Sequence, residues 1–184
     1  VQSGLDGEVT GVPTGFADLD RETTGMHGGQ LWILAARPSM GKSALSLNMA
    51  EGAARATGRT ALVFSMEMGA RELGLRVLAS AASVNVKRLL TGKVNDDEWQ
   101  RITGGIGRLQ DLPMAINESG GLTVTEVRSI ARRTLRECGG LSVIVVDYLQ
   151  LMSGSMRSDN RVAELSEISR GLKTLAKELN VPVV

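Results

Sequence analysis

Short, continuous apolar runs alternate along the chain with longer stretches whose apolar residues recur at every third or fourth position. The runs lie at residues 30–36, 60–65 and 141–146, with a weaker one at 113–117 and the opening of another at 181–184. Each is short and lacks polar alternation, so each is read as a strand buried on both faces. Helical patterns fill residues 43–56, 70–82, 96–109, 123–137 and 161–179. In the last of these Val162, Leu165, Ile168, Leu172, Leu175 and Leu179 form the apolar stripe of a helix that lies on a sheet. Strands alternating with helices of this length predict βαβ crossovers and a mostly parallel sheet covered on both sides. Residues 1–29, rich in Gly, Thr and Asp, read as a tail or linker with a short helix or turn, leading into a core at residues 30–184.

Bulk properties narrow the picture only a little. The chain has 184 residues, enough for one α/β domain with a substantial core. With 21 basic and 20 acidic residues its formal charge is +1, so any contact with a polyanion needs a local patch or the ring of an oligomer. A single cysteine, Cys138, excludes an internal disulfide and points to a cytoplasmic setting, where a small half-buried thiol beside Gly139 and Gly140 is inert. No apolar run approaches the ~18 residues of a membrane span and no signal-peptide pattern opens the chain, so no membrane partner is expected. The start at Val1 and the stop at Val184 inside a strand suggest a piece of something longer.

Chemistry is expected at the carboxyl ends of the strands, where open α/β sheets bind ligands. Residues 36–43, Ala-Arg-Pro-Ser-Met-Gly-Lys-Ser, join the first strand to the first long helix. That order suits a phosphate-binding loop: Gly41 lets successive N–H groups turn inward at a helix N-terminus, Lys42 reaches the β- and γ-phosphates, and the Ser43 hydroxyl binds Mg²⁺. A strict phosphate-loop pattern opens with glycine, whereas this one opens with Ala36; an ordinary strand-to-helix turn is the alternative. Asp147 ends the apolar strand 141–146 and reads as a carboxylate that holds the metal through its water shell. Glu67 stands just past the strand 60–65, where it either polarises the water that attacks the γ-phosphorus or serves as an N-cap or surface charge. Arg76 faces Glu67 or a phosphate, or is solvated. The loop at 148–160, with Gly154, Arg157, Ser158, Asp159 and Asn160, is expected to be exposed; it either carries Arg157 and Arg161 to a nucleic-acid backbone or is a plain surface loop. Arg128, Arg132, Arg133 and Arg136 interleave with Glu126 and Glu137 as a solvated helix face or a subunit contact, and the lone His27 lacks companions for a metal site.

Several segments taken together resemble a known family: Gly11-Val-Pro-Thr-Gly-Phe16, Ala35-Ala-Arg-Pro-Ser-Met-Gly-Lys-Ser43, Phe64-Ser-Met-Glu-Met68, Asp147-Tyr-Leu-Gln-Leu-Met152 and the stretch from Leu172 to Val184. In this order, over nearly the whole chain, they are similar to the RecA-like motor domain of DnaB-type replicative DNA helicases, and Ala36 agrees with that pattern. The resemblance implies a three-layer RecA-like P-loop NTPase fold. It implies a homohexameric ring that translocates on single-stranded DNA with ATP and Mg²⁺, unwinding duplex DNA, with a helicase loader and primase as partners of the parent protein. Carried over by position, residues 36–44 (Ala36, Arg37, Pro38, Ser39, Met40, Gly41, Lys42, Ser43 and Ala44) hold the nucleotide, Lys42 and Glu67 are catalytic, and Ser43 and Asp147 serve the metal. The family's sensor, arginine finger and main DNA loop fall after the position of Val184. Because a finger is worth roughly 10³–10⁵ in rate, the resemblance implies that this piece binds nucleotide better than it hydrolyses it. A RecA-like recombination or regulatory ATPase and a nucleotide-dependent assembly module without turnover are the competing readings.

Overall fold

The computed structural model describes residues 9–37, 40–154 and 161–184. Along the chain come α1 (Ala17–Thr23), α2 (Lys42–Thr57), β1 (Thr60–Ser65), α3 (Ala70–Ala82), α4 (Val86–Thr91), α5 (Asp96–Leu109), β2 (Met114–Asn117), α6 (Val124–Cys138), β3 (Leu141–Asp147), a 3₁₀ turn at Leu149–Leu151 and α7 (Arg161–Leu179). The helices foreseen from the apolar pattern form within a residue of their expected ends. The pattern missed α4, whose six residues are too few to show a period; Asn85 starts it by accepting from the Lys87 N–H at 2.9 Å.

β1 lies between β2 and β3 and pairs with both in parallel, as the helix-long connections require. The register sets Leu62 beside Ile144, Phe64 beside Val146 and Ser65 beside Asp147. Because strand side chains alternate, this register sorts the sheet into two faces. Leu62, Phe64 and Ile144 enter a core with Val127 and Ala131 of α6 and Ile168, Leu172 and Leu175 of α7. Ala61, Val63, Val143 and Val145 therefore face the other way, toward α2, which packs on β1 and β3 and buries Met49, Ala50, Ala53 and Ala54. The result is three layers: α2, the sheet, and α6 with α7. Ser65 and Asp147, at the sheet's carboxyl end, share the α2 side.

The two outermost runs depart from expectation. Residues 30–36 and 181–184 form isolated parallel bridges, Leu31 to Val183 and Val183 to Ile144, rather than regular strands. The Ile144 N–H donates to the Pro182 carbonyl at 3.0 Å and the Val184 N–H to that of Ile144 at 2.8 Å, while the Trp32 N–H donates to Val183 at 2.8 Å. The ladder thus continues beyond β3 in the right order but for one or two rungs, too few for a strand. Pro182 has no N–H to add another.

The polar N-terminal segment is pinned where glycines permit close approach. A Cβ on Gly52 of α2 would stand 2.6 Å from the Thr14 carbonyl oxygen, so only glycine fits there. Buried Asp20 accepts from the Thr14 N–H at 2.7 Å, and Val12 and Met26 pair as an antiparallel bridge.

By contact pattern the chain forms two compact units, a larger one from the residues up to Glu67 together with Pro113–Val184, and a smaller one, Met68–Leu112. In the smaller unit Ala82, Val84 and Ile102 form a core with Leu78, Leu89 and Val94. Gly105 lets α5 approach α3, since a Cβ there would meet Leu78 and Ala82 at 3.3 Å.

Candidate functional site

The ends of β1 and β3 lie side by side in the larger unit. The Met66 N–H donates to the Asp147 carbonyl at 2.9 Å, which carries the pairing one residue past β1 and leaves Glu67 next to the strand ends. Glu67 is exposed and takes part in no ion pair among the described residues. Of the two alternatives for it, the N-cap is not met, since α3 begins after Gly69 with no side-chain cap, whereas a surface charge agrees with its exposure.

Asp147 is 6 % exposed. A buried carboxylate is costly unless paired, and Lys42 supplies the partner: its Nζ lies 3.0 Å from Asp147 Oδ1. The same ammonium sits 3.9 Å from the centre of the Tyr148 ring. Two elements bring these groups together. β3 ends with Asp147 on the face that α2 covers, and α2 begins with Lys42.

Gly41 opens α2 at φ 85° and ψ 18°, in the left-handed region. Nothing lies within 4 Å of where its Cβ would stand, so glycine is needed for the backbone angle rather than for space. Among the described residues no side chain caps this helix, and no acidic residue lies in its first turn. Its first N–H groups have no intrahelical acceptors, and the helix dipole adds positive potential there. Ser43 lies half-buried in the same turn, its carbonyl accepting from the Ser46 hydroxyl at 3.0 Å. Ala36, Arg37, Met40 and Ala44 are exposed around this helix end, with the Met40 N–H donating to the Arg37 carbonyl at 3.3 Å. Pro38 and Ser39 lie outside the described residues.

The structure thus brings Lys42, Ser43 and Asp147 to one place, with Glu67 at the end of the neighbouring strand. Tyr148 joins them without having been foreseen. Strict alternation would send the residue after Asp147 to the opposite face; instead the strand ends and a 3₁₀ turn begins, held by the Leu151 N–H donating to the Tyr148 carbonyl at 2.9 Å. Nothing in the order of residue types announces that change of direction.

Other expected residues lie elsewhere. Arg76 pairs with Glu72 on its own helix at 3.0 Å. Arg161 pairs with Glu164 and donates to the Gln150 carbonyl, while Arg157, Ser158, Asp159 and Asn160 lie outside the described residues. Glu164 also accepts from the Gly154 N–H at 2.9 Å, and the Arg161 hydrogen bond, with that backbone bond, holds its carboxyl below the ordinary value. Arg128 and Arg132 are not simply solvated: both reach Glu178 of α7, at 3.4 and 2.5 Å, tying two helices of one layer. Cys138 is exposed rather than half-buried, because it ends α6 just before the left-handed Gly139 turns the chain away. His27 contacts Thr24 Oγ1 at 3.0 Å, and no cluster of three metal-ligating side chains occurs among the described residues. Nor is any helix among them long and apolar enough to cross a membrane.

A buried aspartate at a strand end, a lysine and serine in the first turn of an uncapped helix, and a parallel sheet between helix layers define a P-loop NTPase of the RecA-like class. The chain belongs to the family of the DnaB-like helicase C-terminal domain, whose model matches residues 11–184. It is 52 % identical over 178 residues to the replicative DNA helicase DnaB of Haemophilus influenzae, covering 96 % of this chain and 38 % of that protein. To the Geobacillus stearothermophilus DnaB it is 46 % identical over 180 residues, covering 97 % of this chain and 39 % of that protein. The chain therefore spans about two fifths of the length of these relatives. Among solved structures it is similar to one described as an ATPase domain, with a TM-score of 0.89, 35 % identity and coverage of 97 % of this chain and 63 % of that one. A DnaB-like replicative helicase described with its interactions with primase superposes with a TM-score of 0.90 at 34 % identity, covering 97 % of this chain and 43 % of that one.

Proposed function

We propose that this chain is the ATP-hydrolysing motor domain of a replicative DNA helicase, acting in a homohexameric ring that translocates on single-stranded DNA and unwinds duplex DNA. The observation that carries the reading is the meeting of Lys42 and Asp147 at 3.0 Å beside the uncapped start of α2. Each residue then has a task. The N–H groups after Gly41 receive phosphate oxygens at the positive end of α2, with Ala36, Arg37, Pro38, Ser39, Met40 and Ala44 completing the loop. Lys42 sets its ammonium against the β- and γ-phosphates. Glu67 takes or orients the proton of the attacking water, a role suited to an exposed carboxylate that has no ion-pair partner among the described residues.

The oxygen donors fit Mg²⁺. It is a hard cation that keeps several waters and needs only one or two protein oxygens beside the phosphates, and here the Ser43 hydroxyl and, once Lys42 has left it, the Asp147 carboxylate would hold it. Held there, the ion would supply positive charge against the negative charge that develops on the phosphates. A cytoplasmic location, a helicase loader and primase complete the reading. Primase is favoured by the solved relative described with it.

The test uses the full-length protein. Lys42→Ala is expected to lower ATP turnover by about 10²–10³-fold or more, the size of one lost transition-state donor, and to abolish unwinding. Glu67→Gln is expected to bind ATP within about twofold of wild type and to lose about 10²–10⁴-fold in hydrolysis. Normal unwinding by the Glu67→Gln ring would remove Glu67 from its role; binding without any turnover in the wild type would favour the assembly module.

A further inference from the structure

We infer that Tyr148 is a positioning residue which, with Asp147, latches Lys42 away from the phosphate site, so that incoming nucleotide must open the latch before Lys42 can serve it. The inference rests on the nucleotide reading above and adds to it a residue and a resting state.

Three observations carry it. Lys42 Nζ is engaged twice, by Asp147 Oδ1 at 3.0 Å and by the face of the Tyr148 ring at 3.9 Å from its centre. Both partners come from the end of one strand, β3, and are held by packed structure. Asp147 is buried in register beside Ser65 of β1. Tyr148 is half-buried and leads into a 3₁₀ turn whose first residue, Leu149, and following residue, Met152, pack into the main core. Third, the Lys42 side chain remains 28 % exposed. It is held on two sides and open on another, a position from which an ammonium can leave for a better anion.

The chemistry fixes the sign of the effect. A carboxylate and an electron-rich ring face each attract a cation, and their attractions add where water is partly excluded. A phosphate that draws Lys42 off Asp147 must also overcome the ring. The ring therefore opposes nucleotide binding, and Asp147, freed of Lys42, becomes available to the metal. Lys42 and Asp147 thus exchange a partnership with each other for one with nucleotide and metal, and Tyr148 sets how readily they do so.

The latch can be read without nucleotide. Full-length protein carrying 3-fluorotyrosine has one ¹⁹F resonance that Tyr148→Phe removes, which assigns it. Lys42→Met is expected to move that resonance, because the ammonium over the ring is gone; an unmoved resonance overturns the latch whatever the protein binds. Binding of Mg²⁺ with a β,γ-imido ATP analogue is the second readout. Tyr148→Leu is expected to tighten it by roughly two- to tenfold, and Tyr148→Phe, which keeps the ring face, to restore the wild-type value. Weaker or equal binding by a folded Tyr148→Leu variant overturns the inference, and if that variant does not fold the ¹⁹F shift decides. Failure of the wild type to bind the analogue refutes the functional reading instead.

Discussion

The starts of α2 and α6 are built on opposite principles. At α6 the protein satisfies its own helix end: Thr123 Oγ1 accepts from the Glu126 N–H at 3.3 Å, and Glu126 Oε2 accepts from the Thr123 N–H and hydroxyl, each at 2.8 Å. This reciprocal box satisfies orphan donors and puts a carboxylate on the positive end of the dipole. α5 repeats it with Asn95 and Glu98. At α2 the cap is Gly41 in a left-handed conformation, there is no side-chain acceptor among the described residues, and the first turn holds a lysine whereas that of α6 holds a glutamate. Each other helix start has a side-chain cap, as α4 has in Asn85, or acidic residues in its first turn, as α1, α3 and α7 have in Asp18, Asp20, Glu72 and Glu164. Leaving α2 with neither is what the proposed phosphate site requires of its first N–H groups, and Lys42 adds to the positive field instead of cancelling it.

The largest test of this contrast imports the α6 solution into α2. Ala44 is exposed in the first turn of α2, so Ala44→Glu places a carboxylate at the same third helical position that Glu126 occupies in α6. ATP affinity is expected to fall by on the order of tenfold or more from like-charge repulsion, while folding stability holds or rises by about 0.3–1 kcal/mol through the dipole. Equal ATP affinity, measured by calorimetry, would mean that phosphate does not sit at this helix end.

A smaller effect follows from Gly41 itself. Gly41→Ala adds a methyl group into open space, so its whole cost is the left-handed backbone, about 1–2 kcal/mol. In a chain of this size that is a fall of several degrees in Tm. An unchanged Tm would show that the loop readily adopts another conformation.

Much of the fold and part of this contrast were legible in the residues. Apolar runs separated by helix-length periods named β1, β3 and the long helices, because burial on both faces leaves a pattern that depends on composition alone. The same pattern overstated residues 30–36 and 181–184. An apolar run ensures neither burial nor a ladder: Ile33 is 64 % exposed and none of residues 30–36 is buried, and Leu31 and Val183 make only isolated bridges. At the candidate site, the meeting of Lys42, Ser43 and Asp147 was readable because strand end, loop and helix start follow a fixed order. Tyr148 was not, since its place depends on where β3 stops and the 3₁₀ turn begins. Nor were the Arg128 and Arg132 contacts with Glu178, which depend on how α6 and α7 cross.

The smallest effects lie on the closed side of the comparison. Thr123→Ala is expected to cost about 1 kcal/mol of stability and to leave ATP affinity unchanged, the reverse of Ala44→Glu. Its partner gives a signature in pH. The Thr123 backbone N–H, and after it the Thr123 hydroxyl, hold the Glu126 carboxyl below its ordinary value near 4.5. A group whose folded value is lowered stabilises the fold above its unfolded value, and that contribution is lost as pH falls through the folded one. Glu126→Gln keeps an acceptor for the Thr123 N–H but cannot titrate. The stability gap between wild type and Glu126→Gln should therefore be widest above pH 4.5 and close as acid protonates Glu126. A gap that stays constant in urea melts across this range would show that the box holds by shape alone, without the charge that separates α6 from α2.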